Sequence, residues 1–238
     1  MTAFAAQFAI RRWAAWAPGV TTPEAWRAWA SGEGHPEADG QPALAFVDAM
    51  TRRRLSRLSR MALDVAHQVL AGETGVVSVF ASRHGEMRRT AELLSSLARQ
   101  EALSPTTFSL SVHNTASGLH SIVTGNTAAS TAIAAGDDSL RQALAEALGQ
   151  LAQAPARPVL LVYADEPLPE AYAEFRDHPP FPLALALLLE AGDQVSLRDD
   201  AEPPHTPEPQ ALALLRALVT DTPCALAGPR NAWTWSRH

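Results

Sequence analysis

Val76 to Ala102 reads VVSVFASRHGEMRRTAELLSSLARQEA. Val76 to Ala81 is a β-branched run of the kind that forms a buried strand. Glu86 to Ala102 follows as an amphipathic helix with Met87, Leu93, Leu94 and Leu97 inward. A strand leading into a helix is half of a crossover unit, and the sequence on either side repeats the pattern. Upstream, Arg54 to Leu70 sets Leu55, Leu58, Met61, Leu63, Val65, Ala66, Val69 and Leu70 mostly at three- and four-residue steps, which predicts a helix with one buried face that stops at Gly72. Phe8 to Trp16 reads as a short strand ended by Pro18-Gly19, and residues 31–42 (SGEGHPEADGQP) as an exposed connection. Downstream come a helix from Asn114 to Gly125, a strand-like segment from Asn126 to Ala134, a helix from Asp138 to Gln153, and strands at Pro158 to Ala164 and Phe181 to Glu190.

Alternating strands and helices predict an α/β domain over residues 1–192, with a mostly parallel sheet covered by helices, because parallel strands need crossover connections. Beyond it, residues 193–238 read as a tail packed on the domain. RDDAEPPHTPEP is acidic and proline-rich, Gln210 to Val219 is a short helix, and WTWSRH closes the chain. Tryptophans at 13, 16, 26 and 29, and again at 233 and 235, predict one aromatic cluster shared by the two ends.

The 238 residues are 47% hydrophobic and 18% charged, enough apolar surface to repay ordering. All 19 basic residues are arginine. Without a lysine amine, Schiff-base chemistry, pyridoxal phosphate attachment and P-loop phosphate contacts are excluded. The net charge of −6 disfavours bulk nucleic-acid binding. The single cysteine, Cys224, rules out disulfide frameworks and multi-thiolate zinc sites, fits a cytoplasmic protein, and reads as a buried inert thiol. Leu183 to Leu189 falls far short of the roughly 20 apolar residues of a membrane span. The apolar start precedes its arginines, the reverse of a signal peptide. His113 and His120 share a helical face without ligand partners, so no metal and no cofactor is expected. Arg54, Arg57 and Arg60 line one helical edge, either a solvated face or a docking patch for an acidic partner.

Leu103 to Ala147, LSPTTFSLSVHNTASGLHSIVTGNTAASTAIAAGDDSLRQALAEA, resembles the middle of the N-terminal half of β-ketoacyl synthases. The landmarks are Ser104-Pro105, Asn114, Ser117-Gly118, Ile122 and Gly125, at the family's spacing. RRRLSRLSRMALDVAHQVL, PVLLVYADE and FPLALALLLEAG are similar to flanking elements, so the resemblance covers about residues 45–192. It implies a single thiolase-like half, truncated relative to a full ketosynthase. It also places Asp137 where the family carries its nucleophilic cysteine. A carboxylate cannot replace a thiolate in transthioesterification, whereas an acid at a helix N-terminus is a good cap. The second half, with two histidines and a lysine, has no counterpart in this sequence.

Such a chain resembles a chain-length factor, the inactive partner of a ketosynthase in type II polyketide systems, and particularly the factor-like subunit of aryl polyene clusters. The resemblance then implies a heterodimer with an active ketosynthase, formed through Asn114 and a strand holding Asn126, Thr127, Ser130, Thr131 and Ile133. Thr107 and Ser111 would reach the partner's acyl tunnel and set chain length. Small residues at 127–136 suit close approach across that interface, and suit a tightly packed internal strand equally. Arg54, Arg57 and Arg60 would recruit the acyl carrier protein. The enzymatic alternative is a degenerate synthase keeping malonyl decarboxylase or acyltransferase activity.

Overall fold

The computed structural model describes residues 5–175, 181–201, 208–229 and 231–238. The acidic proline-rich segment foreseen near 202–207 lies outside the described residues.

Seven strands form one sheet in the order β3-β2-β4-β5-β7-β6, with β1 also paired to β5. They are β1 (Ala5–Trp16), β2 (Val77–Ala81), β3 (Ser130–Ile133), β4 (Val159–Asp165), β5 (Leu183–Ala201), β6 (Cys224–Ala227) and β7 (Ala232–Arg237). The α/β class is as expected, but the parallel part is confined to β3-β2-β4. Every other pairing is antiparallel, because β5 pairs with β1, β4 and β7 rather than following a crossover helix.

The helices are α1 (Pro23–Ala30), α2 (Ala49–Arg54), α3 (Arg57–Leu70), α4 (Met87–Ala98), α5 (Pro105–Ser109), α6 (Thr115–Thr124), α7 (Ser139–Gln153) and α8 (Gln210–Thr220). They cover the sheet on both faces, and the period-2 alternation of β4 shows how. Leu160, Val162 and Ala164 point to the α3 side, packing with Leu58, Met61, Val65 and Val69. Val159, Leu161 and Tyr163 point to the opposite side, where α7 and α8 bury Leu140, Leu144, Leu214 and Leu215. Every residue of β4 is buried, so it reads as a continuous apolar run.

Three expectations change. Arg54 to Leu70 is two helices, because Leu55 is extended (ψ 132°) and the Ser56 hydroxyl accepts from Ser59 N to start α3 afresh. Residue 192, expected as the end of the domain with a tail from 193 on, lies inside β5, and α8, β6 and β7 complete the same sheet and core. Leu94 and Leu97, expected inward, are 49% and 59% exposed, and α4 has no buried residue. The tryptophans of both ends do meet in one core: Trp26, Trp29, Trp233 and Trp235 share it, with Trp235 edge-on to Phe8 at 5.5 Å, while Trp16 lies on the α3 side.

Candidate functional site

Parallel strands end together, and the carboxyl ends of β2, β3 and β4 bring Ser82, Arg83, Asp137, Tyr163 and Asp165 to one place, the usual location of sites in α/β sheets. Asp165 is buried beneath it. Its carboxylate accepts from Ser82 Oγ (2.8 Å) and Arg83 N (3.0 Å) and is bonded by the Tyr163 hydroxyl. Burial pushes the carboxyl and the phenol upward, over the hydrogen bonds that lower the carboxyl. The Ser82 hydroxyl in turn accepts from Gly85 N (2.9 Å), and His113 Nε2 donates to Ser82 O (2.8 Å). His113 thus fastens the loop after β2. His120 is separate, buried on α6 beside Phe80, with burial lowering its pKa.

Asp137 lies in a 3-10 turn, Gly136–Asp138, between β3 and α7. The turn begins on Gly136 at φ +58°, which favours glycine. The sequence count that places Asp137 at the opening of a helix therefore agrees with the local structure. Its Oδ1 is 2.7 Å from Arg83 Nη2, with the Asp137 side chain 62% exposed and that of Arg83 10%. Nothing in the sequence paired these two, beyond Arg83 following the end of a strand. The neighbouring Asp138 faces the other way. It accepts from Gln210 Nε2 and Arg141 Nη2, both at 2.9 Å, while Arg141 also reaches Asn231 and stacks 5.0 Å over Trp233. The C-terminal hairpin is thus clamped to the start of α7.

Between these elements is a cavity of about 210 Å³, bordered by Arg83, Asp137, Leu140, Tyr163, Gln210 and Gly228. Its described lining offers an ion pair, a phenol, a bonded amide and the carboxylate of Glu208, with no thiol, imidazole or amine. Cys224, on β6, is half-buried, and burial pushes its thiol up to about 12. Among the described residues no group of three His, Cys, Asp or Glu side chains could hold a metal ion.

The foreseen interface residues divide. β3 is the outermost strand of the sheet, paired to β2 on one side and to no described strand on the other. Thr131 accepts from Gln150 Nε2 (3.3 Å) and donates to Glu146 (3.3 Å) on α7; Ser130 accepts from Ser78 Oγ (3.0 Å), and Ile133 packs partly into the core. Thr127 and Asn114 are exposed. Asn126 is not: it is buried, donating to Val76 O (2.8 Å) and accepting from Ala128 N (3.1 Å), so it shapes the turn into β3. Thr107 and Ser111 are half-buried on and just after α5, beside exposed Phe108 and Val112.

The arginine trio does not form one edge. Arg54 is exposed at the end of α2. Arg57 is held by Glu166 and Asp39, each at 2.7 Å, and Arg60 donates to Arg52 O (2.7 Å) and Leu55 O. The break at Leu55–Ser56 separates the first from the others.

A larger feature escaped the sequence reading. From Ala102 to Gly136 the chain has no Asp, Glu, Lys or Arg. Much of this stretch is nevertheless at the surface, including Leu103, Phe108, Val112 and Ile122, the last 76% exposed. The signal was available as a count of charges along the chain.

The β-ketoacyl synthase N-terminal domain model matches residues 26–236. Among solved structures, a chain of the ketosynthase ApeO in complex with its chain length factor ApeC, from Xenorhabdus doucetiae, is 33% identical with a TM-score of 0.87, covering 98% of this chain and 100% of that one. The ishigamide ketosynthase/chain length factor is 17% identical (TM-score 0.65; 82% of this chain, 68% of that one). A β-ketoacyl synthase from Burkholderia phymatum is 14% identical (TM-score 0.58; 90% and 70%), and at these lower identities the likeness is one of fold. Comparison with curated protein sequences gives no match.

Proposed function

This chain belongs to the β-ketoacyl synthase N-terminal-domain family, as a thiolase-like half, and we propose that it is a non-catalytic, chain-length-factor-type subunit. It pairs with an active ketosynthase and shapes the acyl tunnel during polyketide synthesis of the aryl polyene kind. The acyl carrier protein is met through that complex. One observation carries the reading: the open edge of β3 lies within a stretch, Ala102 to Gly136, that holds no Asp, Glu, Lys or Arg although much of it is at the surface. Strand edges recruit other chains, and interface cores are depleted in charged residues.

The cavity supports the non-catalytic part. A condensing reaction needs a nucleophile that gives a thioester, and the family's cysteine position holds Asp137, already paired with Arg83. The complex of ApeO with ApeC supports the partner assignment. No helix among the described residues is long and apolar enough to cross a membrane.

The test is co-expression of the tagged chain with the ketosynthase of its own gene neighbourhood, followed by mass determination of the purified complex. A one-to-one heterodimer is expected; a lone, well-behaved monomer refutes the reading. In the complex, Thr107→Phe or Ser111→Trp shortens the product while assembly persists. Unchanged product length in an intact complex removes the gating role from these two residues.

A further inference from the structure

α4 leaves part of its apolar side uncovered. Met87, Ala91 and Leu93 are half-buried, whereas Leu94 and Leu97, at helical spacing from 87 and 91, point to solvent. Its polar residues Arg88, Glu92, Ser95 and Arg99 are exposed as well and border an open groove of about 630 Å³ opposite Pro167, Leu168 and Pro169.

Among the described residues, polar links tie down the first turn of α4. Buried Glu86 accepts from Ser56 Oγ and Ser59 Oγ, both at 2.6 Å, and from Arg89 Nε at 3.1 Å. Arg88 Nε lies 3.3 Å from Glu166. A helix of 12 residues is marginal in water unless a face is packed, and here no residue is buried. α4 packs against α5, whose Phe108 is 63% exposed, and α5 opens the charge-free stretch that runs on to the β3 edge.

We propose that the outward face of α4, Leu94 and Leu97 with Phe108, is a second arm of the docking surface and is covered by an uncharged surface of the ketosynthase partner. This rests on the reading above and extends it from the strand to the helix. The choice of occupant follows from continuity. α4 touches α5, and the uncharged stretch of chain that α5 opens runs on to β3, a strand edge with no partner among the described residues, whose amides and carbonyls a protein backbone satisfies and a lipid or small ligand does not. The apolar side chains then supply the buried centre that anchors such interfaces.

Hydrogen exchange of the chain alone and in the co-expressed complex, with Leu94→Arg/Leu97→Arg as the variant, tests this. Alone, amides of residues 92–98 exchange fast, as expected for a helix without buried contacts. In the complex they slow at least about tenfold together with residues 130–133, and the double variant weakens the complex by at least about tenfold. Both positions are exposed, so the variant folds, which circular dichroism verifies. Protection of 130–133 without change at 92–98, in a complex indifferent to the variant, overturns the α4 arm and leaves the subunit reading standing. Protection of 92–98 by self-association of the chain alone overturns it in favour of a second copy. Absence of any complex with the unmodified chain overturns the subunit reading and this inference with it.

Discussion

α3 and α4 look alike in sequence, with 14 and 12 residues and apolar side chains at three- and four-residue steps. In the structure they are opposites. α3 buries Leu58, Met61, Val65 and Val69 against β4 and β5, whereas α4 has no fully buried residue and leaves Leu94 and Leu97 in solvent. Periodicity reports that a helix has an apolar side; it does not report who covers it. In α3 the answer lies within the chain, and in α4 we place it in another chain.

That contrast can be broken by substitution. The largest effect belongs to α3: Met61 is fully buried, and Met61→Ala costs about 2–5 kcal/mol in urea unfolding of the isolated chain. A cost under about 1 kcal/mol would mean that α3 is no better packed than α4.

Next is the anchor of α4. Burial holds the folded-state pKa of Glu86 above its ordinary 4.5, over the hydrogen bonds from Ser56 and Ser59 and the nearby charge of Arg89. Below the ordinary value both states are protonated and this contribution to stability is fully present; it is lost as pH rises through the raised value. The stability of the unmodified chain relative to Glu86→Gln therefore falls as pH rises above the ordinary 4.5, read from urea midpoints. A difference that grows with pH would show that the charged carboxylate, through Arg89, is the favoured form.

Smaller still, Leu97→Ala changes the stability of the isolated chain by no more than about 0.5 kcal/mol, because the side chain leaves no cavity. A cost near that of Met61→Ala would place the α4 leucines in an intramolecular core. At the end of the scale, Asp137→Ala leaves the turnover of the complex unchanged while removing the ion pair between Asp137 and Arg83. Loss of turnover with folding preserved would return Asp137 to the chemistry and revive the enzymatic alternative.

Much of the site was legible. Gly125 ends α6 as a left-handed residue at φ +66°, the stop the sequence foresaw, and Asp137 falls in the turn just before α7. What escaped was pairing across the sheet. Asn126 looks like a surface polar residue in a strand of small side chains, yet its amide is spent inside the chain on Val76 and Ala128. Arg54, Arg57 and Arg60 look like one edge until Ser56 starts a new helix between them and Glu166, far along the chain, claims Arg57. Hydrogen bonds between residues distant in sequence leave no periodic trace.

Local spacing and composition were enough to determine the alternation of strands and helices and the absence of lysine chemistry, because each depends on residue type and near neighbours alone. Only the tertiary structure decided that β5 continues past residue 192 to hold β1 and β7, that Asp137 is tied to Arg83, and that α4 leaves Leu94 and Leu97 in solvent. Those outcomes depend on which surfaces meet. A sequence pattern specifies a face, while packing and long-range hydrogen bonds specify its neighbour.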